Sequence, residues 1–388
     1  MAPPPRPPPE LIEDAVAEIL LRIPPDEPAD LFRAALVCKP WRRILSDRAF
    51  LHRYRSFHGA PPLLGFLQNS HIGGPIPRFV PATSATHFSI PAFNCRRWYA
   101  MDCRHGRALL LSLDPTGLIV WDPISGDHKS IPLPPYPNSC FRAAVLCATD
   151  NCDHLDCRSG PFLVVAVGTI GLEDDTWVSI YSSETGAWSE ITVVPHCGSC
   201  IGEHSPSVLT GDSLYFKFDF GESILKYNLT GRILSVINVP DLGQPEGIIT
   251  TASDGGLGFA CVNDNMLFLW SWNAGPDGNA GWVKDRVIDL SMLLPISICS
   301  YKVIGFAEGA NTIFISTLVG VYFTINLKSG QVRKVCKGVY YDEDIVPFMG
   351  FYTPDNLKER PSRSVNMSSE ARDAYDDHLL WSCFQFRD

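Results

Sequence analysis

Two different hydrophobic periods divide this chain. In residues 11–23, Leu11, Ala15, Ile19 and Ile23 form one apolar row and Ile12, Val16 and Leu20 the row beside it. Glu13, Asp14, Glu18 and Arg22 lie largely off that stripe. This spacing predicts an amphipathic helix, and its early acids and late Arg22 suit the helix dipole. Pro24-Pro25 ends it. A second helix is predicted from Pro28, burying Leu31, Ala34, Ala35 and Val37, and a third from Pro40, with Trp41, Ile44 and Leu45 on one side. A last helical piece covers DRAFLHRYRSF, with Ser46 as its expected N-cap. From about residue 60 the helical period gives way to short β runs punctuated by turn residues.

One pattern recurs in that second part: an apolar strand, a short polar residue, a glycine, then another strand. It reads as LIVWDPISGDHKSI, VSIYSSETGAWSEI, ILKYNLTGRILSVI, FLWSWNAG and VYFTINLKSGQVRKV. A short polar side chain can bond its own backbone to start a turn, and glycine supplies the positive φ that ends it. The turn glycines Gly126, Gly186, Gly231, Gly275 and Gly330 lie 60, 45, 44 and 55 residues apart. A period near 45 residues is that of a four-stranded propeller blade. Five such turns, with a further strand set in PPLLGFLQNSHIGGPIPRFVPAT, predict an all-β propeller of six blades; two stacked sheets are the alternative.

The helical head is small for the apolar surface it carries. A unit below about 50 residues is marginal unless something covers that surface, either the rest of the chain or a partner. The full chain has 388 residues, 45% hydrophobic and 19% charged, which is the composition of a globular protein. Its net charge is −10, and the first 60 residues hold nine Lys/Arg against eight Asp/Glu, so the β body carries about −11. Such a body is poor ground for a nucleic-acid backbone and suits a basic client segment better. The longest apolar stretch, FLVVAVGTIGL at 162–172, is too short to span a membrane and reads as a buried strand. The opening MAPPPRPPPE lacks the apolar core of a secretory signal, so cytoplasmic or nuclear residence is expected. The thirteen cysteines, odd in number and scattered, then read as reduced thiols.

Candidate chemistry is sparse. Cys147, Cys152, His154 and Cys157 offer three thiolates and an imidazole, but C-x4-C-x-H-x2-C is more compressed than the paired spacing of a usual zinc finger. The stretch at 147–160 is therefore expected to be a polar loop between blades, without metal. His196, Cys197 and Cys200 lack the βαβ setting of a redox motif. Asp102, Asp114 and Asp122 cluster in sequence, each beside a turn. No nucleophile elbow, phosphate loop or dinucleotide fingerprint occurs, so no cofactor and no enzymatic activity are expected. The polar stretch 354–378 reads as linker, followed by LLWSCFQF, which could close the last blade or pack under it.

The head resembles the F-box, the helical module that docks cullin-based ubiquitin ligases through a Skp-family adaptor. EILLRIP at 18–24, VCKPWRRILSD at 37–47 and the aromatic finish from Phe50 to Tyr54 carry the resemblance. Leu11-Ile12 stands where the family usually has Leu-Pro, and Ala15 where a larger aliphatic is common; both trim the docking surface. The resemblance implies that Leu11, Ile12, Val16, Ile19, Leu20, Ile23, Pro24, Leu31, Val37, Cys38, Trp41 and Leu45 face the adaptor. The body resembles the F-box-associated β-propeller of plant, notably grass, F-box proteins through FHGAPPLLGFL at 57–67, RHGRALLLS at 104–112, VWDPISG at 120–126 and CDHLDCRSGPFLVV at 152–165.

The expected organisation is a Pro-rich lead over 1–9, an F-box over 10–56, a propeller over 57–353 and a tail over 354–388. The function implied is that of a substrate-recognition subunit, with the adaptor, cullin and RING subunits reached through the head and an unknown client protein held by the propeller. A non-degradative F-box scaffold, or a ligand-binding propeller with a packing head, are the alternatives.

Overall fold

The head folds into four helices, α1 (Glu13–Leu21), α2 (Pro28–Val37), α3 (Lys39–Ile44) and α4 (Arg48–His58). The computed structural model describes residues 12–69, 78–82, 98–113, 115–136, 141–170, 175–194, 206–218, 223–241, 247–274, 280–294, 300–337 and 345–354. Pro28 opens α2 in its first turn, where its missing N–H has no helical partner to lose. The N-cap of α4 is Asp47 and not Ser46: its carboxylate accepts the Phe50 N–H at 3.4 Å. One expected core residue is misplaced, since Val37 is exposed at the end of α2.

The β body forms six antiparallel sheets among the described residues, arranged as six propeller blades. The first contains β3 (Trp98–Arg104), β4 (Arg107–Leu113), β5 (Thr116–Trp121) and β6 (His128–Ile131). The second contains β7 (Phe141–Cys147), β8 (Phe162–Ile170), β9 (Asp175–Ser182), β10 (Ala187–Trp188) and β11 (Thr192–Val194). The third runs through β12 (Val208–Thr210), β13 (Ser213–Lys217), β14 (Ser223–Asn228) and β15 (Ile233–Asn238). The fourth holds β16 (Gly247–Thr251), β17 (Leu257–Asn263), β18 (Met266–Ala274) and β19 (Ala280–Asp289), with a one-turn α5 (Leu290–Leu293) after it. The fifth is β20 (Tyr301–Ala307), β21 (Thr312–Thr317), β22 (Val321–Asn326) and β23 (Val332–Lys337).

The sixth blade is made from both ends of the body. β1 (Leu63–Gln68), directly after the head, lies between β2 (Arg78–Pro81) and β24 (Ile345–Met349), in the order β2-β1-β24. Phe66 pairs with Pro347 and Leu67 with Val346. Gly65 is needed where β1 and β2 meet: a Cβ there would sit 2.4 Å from the Val80 carbonyl oxygen. The last blade is thus closed by β24, while LLWSCFQF lies outside the described residues.

The recurrent turn of the sequence is the third-to-fourth-strand hairpin of blades one to five. Asp122 Oδ1 accepts the Ile124 N–H at 2.8 Å, Asn326 Oδ1 accepts the Ser329 N–H at 2.8 Å, and Gly126 and Gly330 take positive φ. In the third blade the left-handed residue is Arg232, one position beyond the expected Gly231; Gly275 is outside the described residues. The Cys/His stretch departs from expectation more sharply, because it lies inside the second blade, between β7 and β8.

Apolar residues pack between blades, and every junction has its own cluster. Val145, Val164 and Leu109 join blades one and two; Phe216 and Val165 join two and three; Phe259 and Tyr215 join three and four. Ile315 and Leu267 join four and five, Phe66 and Phe314 join five and six, and Leu67 and Leu110 complete the circle. Inner strands are therefore covered on both faces and read as unbroken apolar runs, as in FLVVAVGTI. Phe66→Ala, which empties a fully buried site in the closing blade, is expected to cost about 3–5 kcal/mol. Exposed Leu318→Ala should stay within about 0.5 kcal/mol. Thermal unfolding followed by circular dichroism checks both.

Candidate functional site

The expected docking residues separate by burial. Val16, Leu20, Leu31 and Leu45 belong to the head's own core, with Leu21, Ile44, Leu51 and Tyr54. Four helices cover these residues once they pack, so they support the surface from beneath rather than forming it. Ile12, Ile19, Pro24, Val37 and Cys38 are exposed, while Ile23 and Trp41 are half-buried. Leu11 lies outside the described residues. Sequence periodicity missed Leu36, whose side chain is 82% exposed beside Val37. Its signal was an apolar residue directly following the buried pair Ala34-Ala35, one position off the helix's inner face. Ile12, Ile19, Leu36 and Val37 give the head large exposed aliphatic side chains at the N-cap of α1, on α1 and at the end of α2.

Helix α4 fastens the head to the ring. Tyr54 is fully buried; its hydroxyl donates to the Ile23 carbonyl at 2.8 Å, and its ring meets Phe351 edge-on at 6.2 Å. Burial, with a smaller contribution from Asp26, raises the tyrosine's pKa and keeps that donor protonated. Arg55, also buried, donates to Asp156 Oδ2 at 2.8 Å. His52 Nε2 lies 3.4 Å from Asp153, Phe32 packs on Tyr352 at 5.0 Å, and Leu155 joins the head's core. The Leu155 and Phe351 contacts mean that the ring completes a core that the head alone leaves open.

Beneath this joint is a cavity of about 290 Å³ whose lining includes Arg55, Asp102, Arg104, His105, His154 and Glu308. Asp102 is not a turn residue but an inward-facing, buried acid of β3. Arg104 Nη1 donates to both Asp102 oxygens at 2.7 Å and to Ser207 Oγ at 2.9 Å. Glu308 Oε1 lies 3.6 Å from the same guanidinium, and the second Asp102 oxygen accepts the Val145 N–H at 2.8 Å. Burial pushes the Asp102 and Glu308 carboxyls up, against the pull of Arg104. This cluster joins residues from the first, second, third and fifth blades. Its partners are far apart in sequence, and no local motif marks it. Asp122 serves its turn as expected, and Asp114 is outside the described residues.

The Cys/His loop lies beside the cavity. Among the described residues, Cys147, Cys152, His154 and Cys157 form a group whose ligand-capable atoms all lie within 4.8 Å of one another. Left-handed residues at Asn151 and His154 lie within the loop that gathers these four side chains. The three cysteines are free thiols. His105 stacks on His154 at 3.9 Å and accepts the Cys147 N–H through Nδ1 at 3.1 Å. Burial first, then the neighbouring His154 and arginines, push the His105 pKa down to about 3, so its ring is a neutral acceptor. His196, Cys197 and Cys200 lie outside the described residues.

Comparison with known families places an F-box-like domain at residues 17–58, from within α1 to the end of α4. No curated protein matches the chain. The chain thus carries an F-box-like head on a six-bladed β-propeller. No helix among the described residues is long and apolar enough to cross a membrane.

Removing the guanidinium by Arg104→Leu strands the buried Asp102 and is expected to cost about 3–5 kcal/mol, while Arg104→Leu with Asp102→Leu recovers part of it. A buried acid without its partner favours the protonated form in the folded state. The single variant's deficit should therefore deepen as pH rises through and above the ordinary carboxylate range. Denaturant titrations of both variants at several pH values check this.

Proposed function

We propose that this protein is a substrate-recognition subunit of a Skp-cullin-F-box ubiquitin ligase. The observation that carries the reading is the head itself: an F-box-like domain with Ile12, Ile19, Leu36 and Val37 exposed, while α4 is occupied by the ring. Large aliphatic anchors of this kind supply most of the binding energy when they enter a partner's groove. Pro24 and Cys38, with half-buried Ile23 and Trp41, complete the surface offered to the Skp-family adaptor, and cullin and RING subunits follow through that adaptor. A cytoplasmic or nuclear setting goes with this assembly.

The propeller is the client platform in this reading. It performs no covalent step; it raises the effective concentration of a client lysine near a ubiquitin-loaded conjugating enzyme and fixes its orientation. That work needs a receptor that does not bend between its two contacts. The inter-blade cores and the fastening of α4 by Arg55, Tyr54 and Leu155 support such stiffness.

Titration calorimetry with a purified Skp-family adaptor tests the assignment. Ile19→Asp and Leu36→Asp are each expected to weaken binding more than about tenfold while leaving the melting temperature nearly unchanged. Leu20→Ala should instead destabilise the head by about 2–5 kcal/mol, because that side chain is core. Unaltered adaptor affinity in both aspartate variants would reject the docking surface.

A further inference from the structure

The loop between β7 and β8 does more than connect two strands. Its ligand-capable residues are Cys147, Cys152, His154 and Cys157, and the residues interleaved with them, Asp153, Leu155 and Asp156, are the ones that touch the head. We propose that this loop is a structural zinc site, ligated by the three thiolates and His154 Nδ1, and that the metal sets the joint between head and ring.

The geometry is close to that of a closed tetrahedral site. Zinc bonds of about 2.3 Å to sulfur and about 2.0 Å to nitrogen put ligand atoms roughly 3.5–3.8 Å apart. Cys157 Sγ and His154 Nδ1 are 3.7 Å apart, and no pair in the group exceeds 4.8 Å, so small side-chain rotations complete the tetrahedron. Three soft thiolates and one imidazole in this arrangement select zinc among the common divalent ions. Binding displaces three thiol protons to solvent and leaves the four-ligand centre with a net charge of −1.

The surroundings fit a metal centre. The Thr149 N–H donates to Cys147 Sγ and the His154 N–H to Cys152 Sγ, each at 3.4 Å and each from two residues onward, so backbone donors orient both sulfurs. Buried Arg107 donates to the carbonyls of Cys157, Arg158 and Gly160, fixing the far end of the loop. His105 stacks against the His154 ring and fixes its plane. With the metal bound, Cys152, His154 and Cys157 are pinned inward, and Asp153, Leu155 and Asp156 are presented outward to α4.

Elemental mass spectrometry of the full chain purified from zinc-supplemented cells is expected to find about one zinc per chain. Replacement by cobalt(II) should give the visible and near-ultraviolet absorption of a tetrahedral thiolate site, and a strong chelator should lower the melting temperature. Cys152→Ser should lose the zinc, whereas Asp156→Asn should keep it and lose only a head contact. If Cys152→Ser does not fold, cobalt substitution and chelation of the unaltered chain decide the matter. Zinc well below one equivalent with no cobalt spectrum would overturn the proposal, as would zinc retained undiminished in a folded Cys152→Ser.

Discussion

A ring of sheets has no free edge only if its first strand meets its last, and every other packing relation in this molecule presupposes that meeting. Here it is the pairing of β1 with β24. Once it forms, each of the six junctions receives its own apolar cluster, and the inner strands lose contact with water on both faces. Strand edges that would otherwise template association with other chains are reduced to the outermost strands of the blades. The cost is entropic, since strands separated by nearly the whole body must be brought together. Six buried junctions offset it.

Polar residues at the centre of the ring tie together blades that share no local sequence. Arg104 reaches Asp102, Ser207 and Glu308, and Asp102 reaches the backbone of β7. Such a cluster adds little net stability over an apolar replacement, because desolvation consumes most of the attraction. Its geometric demand is stricter than that of aliphatic packing, which tolerates rearrangement. The first, second, third and fifth blades must arrive in one register for all of its partners to be satisfied.

Much of this was legible from residue order. The period of residues 11–23 gave α1, and the polar-residue-to-glycine turns gave the outer hairpins and blade number, because both signals are local. Burial of Val16 and Leu20 against exposure of Ile12 and Ile19 was not legible. All four lie on one broad apolar stripe, and only the packing of four helices decides which part is covered. The Asp102–Arg104–Glu308 cluster was equally hidden, since its members meet only when the ring closes. The place of the Cys/His loop inside the second blade, and the gathering of its four side chains, were hidden for a different reason: spacing along the chain does not show where left-handed residues at Asn151 and His154 turn it.

The residues that follow β24 and Gly350 lead directly into the head. Phe351 enters the head's core against Tyr54, and Tyr352 packs on Phe32. The strand that completes the propeller is thus only one glycine away from the aromatic ring that completes the helical module. Folding of the two parts is linked by that short tether: a chain whose sixth blade has not formed also lacks a finished head. An incompletely folded copy would present a poorer surface to its partners, so competence to assemble becomes a report on the integrity of the distant ring.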